Sequence, residues 1–161
     1  MSIYQRILVP IDDSLAAHAG LRAAIDLALD QSAALKIITV VDEASEAFGG
    51  AELGWIDPQT LDANLKSGAE HVLDEAVNLT KKAGLEPEYE LIEAPDGQVA
   101  QHIREAAMRW GADLLVLGTH GHHGLSRWLS GSTTESLLHG LTLPLLAIPA
   151  AAPAADDEPR E

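Results

Sequence analysis

The stretch that decides the fold reads Leu114-Leu115-Val116-Leu117-Gly118-Thr119-His120-Gly121-His122-His123-Gly124-Leu125-Ser126-Arg127-Trp128-Leu129-Ser130-Gly131-Ser132-Thr133-Thr134. It opens on four consecutive bulky apolar residues, the signature of a strand buried on both faces of a parallel sheet. It then runs through a Gly-rich loop, Gly118 to Gly131, into a short helix pattern over Ser132 to His139. A buried strand, a glycine loop and a helix start in that order form a place for an anion. Glycines let backbone N–H groups approach closely, and a helix N-terminus attracts negative charge. The composition agrees: no Asp or Glu lies between Leu114 and Thr134, whereas Arg127, His120, His122 and His123 do.

Working outward, the same alternation of strand and helix patterns fills the chain. Tyr4 to Ile11 is a β-rich run that ends at Asp12-Asp13-Ser14, a turn and helix-cap signal. A helix pattern follows through Ala17, Leu21, Ala24 and Ala28, ending near Asp30 to Ser32. Leu35 to Val41 is a short, almost continuously apolar strand. Asp42 to Asp57 is a long acidic loop containing Phe48 and Trp55. From Pro58 to about Lys82, Leu61, Leu65, Ala69, Val72, Ala76 and Leu79 recur at helical spacing, and Ala83-Gly84 closes the helix. Glu88 to Ile92 reads as a more exposed strand. Pro95-Asp96-Gly97 turns the chain into a helix with Val99, Ile103, Ala107 and Trp110 on one face, ended by Gly111. Leu143 to Ile148 is the last strand, bracketed by Pro144 and Pro149.

This βαβαβαβαβ order predicts an α/β fold, a five-stranded parallel sheet of Rossmann-like, doubly wound type. In such a sheet ligands bind at the carboxyl ends of the strands, where the winding reverses. The loops after the first strand (Asp12) and the fourth (Gly118 to Gly131) are expected to face each other there.

A chain of 161 residues fits one domain, residues 1–150, followed by an acidic tail over 151–161. The tail is Ala, Pro and acid, and is expected to be disordered. Hydrophobic residues make up 47% and there is no cysteine, so disulfides, thiolate metal sites and cysteine nucleophiles are excluded. No apolar run approaches the roughly 18 residues of a membrane helix, and the first residues lack a signal-peptide layout. The expectation is a cytoplasmic protein with no membrane contact. Of the net charge of −15, Asp156 to Glu161 carries −3 (four acids, one Arg), leaving −12 on the rest. Such a body repels a polyanion, which argues against nucleic acid.

The loop is neither a Walker A nor a G-x-G-x-x-G fingerprint, because no Gly-Lys-Ser/Thr follows the glycines and their spacing differs. Its histidines are poor metal ligands, since no carboxylate joins them and glycines hold geometry badly. Ser132 lacks the surroundings of a hydrolase nucleophile. Arg127 can be read as steering phosphate or as a surface or interface residue. Asp12-Asp13-Ser14 can be read as no more than a helix cap.

The spacing Gly118-x2-Gly121-x9-Gly131-Ser132 resembles the nucleotide-binding signature G-x2-G-x9-G-[S/T] of the universal stress protein family. The runs Ile7 to Asp12, Thr39 to Asp42 and Leu143 to Leu146 are similar to the family's layout too, so the resemblance covers roughly Tyr4 to Pro149. It implies strand order 3-2-1-4-5 and a stress-response regulator binding ATP or AMP. It also implies roles for particular residues. Asp12, with Pro10 and Ile11 beside it, matches the acid at the nucleoside end, and Val40 the residue whose backbone addresses adenine. Gly118, His120, Gly121, Gly131, Ser132 and Thr133 match the ribose and phosphate cradle. Asp13 departs from the family's usual glycine and brings a second carboxylate, a candidate for a divalent ion such as Mg2+ carried by the nucleotide. The alternatives are a slow ATPase or adenylyl-transfer enzyme, or a dimeric module that binds no nucleotide. In that strand order Leu143 to Ile148 lies at a sheet edge, which predicts a homodimer built on the last strand.

Overall fold

The structure is a computed structural model, and it describes residues 2–44, 57–119 and 131–150, without the side chains of Pro58 and residues 131–134. The loop over 45–56, His120, Gly121 and the rest of 120–130, and the tail over 151–161 lie outside the described residues. Five strands, β1 (Arg6–Pro10), β2 (Ala34–Asp42), β3 (Glu88–Ala94), β4 (Leu114–Thr119) and β5 (Leu145–Pro149), form one parallel sheet in the order β3-β2-β1-β4-β5. Four helices are described between them: α1 (Leu15–Gln31), α2 (Pro58–Lys82), α3 (Val99–Trp110) and α4 (Gly131–Gly140).

Alternation along the strands sorts the apolar side chains into two layers. Ile7, Val9, Leu35, Ile37, Leu114 and Val116 pack with Ala17, Leu21 and Ile25 of α1 and Leu73, Ala76 and Val77 of α2. Leu8, Ile38, Val40, Leu115 and Leu117 pack with Val99, Ile103 and Ala107 of α3 and Leu137 of α4. Helices therefore cover both faces, and the winding reverses between β1 and β4. The expected architecture and strand order are both present.

Local chemistry sets the ends of the helices. Ser14 caps α1, its Oγ accepting the Ala17 N–H at 3.1 Å. Gly111, at φ 75°, closes α3 in the left-handed conformation that suits glycine. The stripe read along α2 needs one correction. Leu79 turns outward, 38% exposed, and Thr80 takes the buried position. The Thr80 hydroxyl donates to the Ala76 carbonyl at 2.8 Å, so its polar group is satisfied within the helix and the residue packs as an apolar one.

β5 also differs slightly from its expected span. It starts at Leu145 and includes Pro149, which pairs with Thr119. The Ala150 N–H donates to the Thr119 carbonyl at 2.9 Å, so the position before it turns its nitrogen to the open edge. Proline's missing donor costs nothing there.

Candidate functional site

At the carboxyl ends of β1 and β2 lies a cleft of about 220 Å³, lined among the described residues by Asp12 and Asp13, by Thr39 to Asp42, and by Asn64, Leu65, Gly68, Ala69 and Val72 of α2. The sheet supplies its floor. The Ile11 N–H donates to the Ile38 carbonyl at 2.8 Å, and the Thr39 hydroxyl donates to the Ile11 carbonyl at 3.3 Å. These bonds carry the pairing of β1 and β2 one step beyond the strand and fix where Asp12 leaves the sheet.

Asp12 is half-buried, and its Oδ1 accepts the Ser14 N–H at 2.8 Å. The bland reading of Asp12-Asp13-Ser14 is therefore part of the truth: Ser14 caps the helix and Asp12 closes the turn before it. One Asp12 oxygen holds the turn, which leaves Oδ2 as an acceptor for a ligand. Asp13 is exposed on the cleft's rim. Pro10 and Ile11 do not line the cleft; both are buried behind it, Ile11 within the core. Val40 does line it, but its side chain belongs to the core layer under α3. What Val40 offers the cleft is its main chain.

The cleft carries three carboxylates, Asp12, Asp13 and Asp42, and no cation among its described lining residues. Lys66, two positions beyond Asn64, is engaged elsewhere: its ammonium lies 2.8 Å from Glu93 and 3.6 Å from Asp62. The bond to Glu93 raises its pKa above the usual lysine value; burial opposes this, and the nearby Asp62 charge adds to the rise. The acidic cleft thus suits hydrogen-bond donors, such as amines and hydroxyls, better than phosphate. Across β1, on the far side of the switch point, Gly118 is buried one residue before the end of β4, and Gly131 opens α4. Ser132 and Thr133 fall in the first turn of α4. The acidic cleft lies beside β1 and β2, and the α4 N-terminus follows β4 on the other side of β1 in the strand order.

Reasoning from sequence missed the α2 wall. Asn64 and Gly68 look like ordinary positions on a solvated helix face, and only the packing of α2 over β2 brings them to the cleft. Among the described residues no group of three His, Asp or Glu side chains could hold a metal ion, and no helix is long and apolar enough to cross a membrane.

Fold and site together define a doubly wound α/β domain with an acidic cleft at the carboxyl ends of β1 and β2, one strand away from where the winding reverses. The chain belongs to the universal stress protein family, whose family model matches residues 3–149. Universal stress protein A homolog 1 of Coxiella burnetii is 32% identical over 145 residues, covering 90% of this chain and 96% of the relative. A solved universal stress protein family structure from Burkholderia pseudomallei is 31% identical at a TM-score of 0.72, covering 93% of this chain and 99% of the other. A universal stress protein solved in complex with cAMP is 22% identical at a TM-score of 0.66, with 93% and 100% covered.

Proposed function

We propose that this chain is a stress-response regulator that binds an adenine nucleotide (ATP, ADP or AMP) across the switch point, as a homodimer through β5. The observation that carries the reading is the acidic cleft at the carboxyl ends of β1 and β2, with β4 next to β1 leading toward the α4 N-terminus. The nucleoside lies over the main chain of Val40 with its ribose hydroxyls donating to Asp12, and the phosphates run toward Gly118, His120, Gly121, Gly131, Ser132 and Thr133. The cAMP complex of a family member with the same fold supports this. A divalent ion such as Mg2+ fits as a companion of the phosphates, with Asp13 as a hard oxygen ligand at the rim. Binding to effect a signal, with at most weak ATPase activity, needs no further chemistry from the chain.

Mass spectrometry of ligand released from denatured purified protein, with calorimetry on variants, tests the reading. Gly131→Val sets a branched side chain where phosphate approaches the backbone and should abolish measurable ATP binding. Asp12→Asn keeps the acceptor that closes the turn but removes the charge. A lost hydrogen bond to a charged group is worth about 1.5–3 kcal/mol, so the affinity should fall roughly ten- to a hundred-fold. Asp13→Ala should cost less. Unchanged ATP affinity in a folded Gly131→Val protein, or a larger loss for Asp13→Ala than for Asp12→Asn, would show the assignment wrong. Phosphate release on incubation with ATP separates binding from slow hydrolysis.

A further inference from the structure

Gly68 stands in the middle of α2, where glycine is a poor helix former. Its backbone is not left-handed, so conformation does not require it. Packing among the described residues does not require it either. An added Cβ at Gly20, Gly118 or Gly140 would press on protein atoms, whereas at the exposed Gly68 it would meet nothing within 4 Å among the described residues. What Gly68 does is line the cleft, four residues after Asn64 and four before Val72, on one face of the helix. A helix-weakening residue that the packing of the described residues leaves unexplained, on a helix face that lines a cleft, points to room kept for something else.

The size and lining of that room limit its class of occupant. Pockets for whole small molecules run about 300–1,000 Å³. At about 220 Å³ among the described residues, this open cleft has room for one flat ring system, with the remainder of a nucleotide extending outside. Val41, Leu65, Ala69 and Val72 give it apolar walls, Asp12, Asp13 and Asp42 an acidic rim, and Asn64 of α2 a neutral polar group. A carboxamide presents a donor beside an acceptor, which matches the exocyclic amine and N7 of adenine. Guanine presents two acceptors at the same edge, which the amide cannot serve together.

We propose that α2 is the base-selecting wall of the site: Gly68 leaves clearance for the ring, and Asn64 reads its edge as adenine rather than guanine. This rests on the nucleotide reading above and adds to it the element and residues that choose the base.

Calorimetry of AMP and GMP with wild-type, Gly68→Leu, Gly68→Ala and Asn64→Leu proteins tests it, with thermal melting of each as a control. Wild type should prefer AMP. Gly68→Leu should melt no lower than wild type yet bind AMP roughly tenfold more weakly or worse. Gly68→Ala should weaken AMP in the same direction by less. Asn64→Leu should bring the AMP and GMP affinities together. Wild-type protein that binds neither nucleotide overturns the nucleotide reading itself, and the base wall with it. Wild-type binding with unchanged AMP affinity in Gly68→Leu overturns the base wall alone. So does an Asn64→Leu protein that keeps the wild-type preference, which serves as the test should Gly68→Leu fail to fold.

Discussion

Gly118 and Gly20 meet backbone to backbone where β4 passes α1. A Cβ on Gly118 would stand 1.7 Å from the Ala16 carbonyl oxygen and 2.3 Å from its carbon, and one on Gly20 would stand 2.7 Å from the Gly118 nitrogen. These neighbours are main chain, so no rotamer change relieves the clash. The first glycine of the G-x2-G-x9-G-[S/T] spacing is thus demanded by helix-on-sheet packing, with or without a ligand. A single motif can mix residues of different cause, and the glycines must be tested separately. Gly118→Ala should lower stability by at least the ~1–3 kcal/mol typical of an overpacked core, visible as an earlier urea midpoint without nucleotide. A Gly118→Ala protein as stable as wild type would remove the packing account and return the residue to the ligand alone.

At the scale of elements, α3 shows how a helix starts without a side-chain bond from its own cap residue. Gln98 at that position makes none; instead Asp96, two residues earlier, accepts the Gln98 N–H at 3.1 Å and lies 3.0 Å from His102 Nε2. The Gln98 N–H first, then His102, hold the Asp96 carboxyl below its ordinary value of 3.8. A depressed carboxylate stabilises the fold above its unfolded pKa, and that contribution is lost as the pH falls through the lower folded pKa. The sensitive window therefore lies below pH 3.8. Carbon-13 NMR titration should place Asp96 below that value in wild type and closer to it in His102→Ala; an unmoved midpoint would show that the histidine contributes nothing. Features of this local kind were the legible ones: Ser14, Gly84 and Gly111 mark helix ends through bonds made within a few residues. The phase of α2 was not, because Thr80 hides its hydroxyl on Ala76 and so competes with Leu79 for the core. Asn64 and Gly68 escaped notice because the face of α2 that meets β2 is decided by tertiary packing. Trp110 escaped in part for the same reason: it is only partly buried, with the Arg6 guanidinium 4.3 Å over its ring and its Nε1 donating to Glu88. Arg6 comes from the other end of the chain, and no periodicity within α3 announces it.

For the whole molecule the open question is what its two sheet edges do. The β3 edge is charged: Glu90 lies 2.9 Å from Lys36 and 2.7 Å from Arg109, and Glu93 lies 2.8 Å from Lys66. Charges of this kind discourage pairing with another strand. The β5 edge, Leu145–Pro149, is uncharged, and Leu146 is 39% exposed. The Leu115 N–H donates to Pro144 and the Ala150 N–H to Thr119, so by alternation Leu145 and Ala147 present their N–H groups outward, while Pro149 has none to present. Two donors on each strand are enough to set the register of an antiparallel pair across a two-fold axis, with apolar contact from Leu146 supplying the affinity. Opposing this, the net charge is −15 per chain, −12 of it outside the last six residues. Salt screens that repulsion over about 8–10 Å near physiological strength, so the dimer should tighten as salt rises. Light scattering should return twice the 17.1 kDa chain mass at moderate salt and tens of micromolar protein. Leu146→Lys should return the monomer mass at the same concentration while keeping the wild-type circular dichroism, because the substitution puts two like charges together at the two-fold without touching the buried layers. Full-length protein that stays monomeric under those conditions, or a folded Leu146→Lys protein that dimerises as well as wild type, would place the dimer contact elsewhere or remove it.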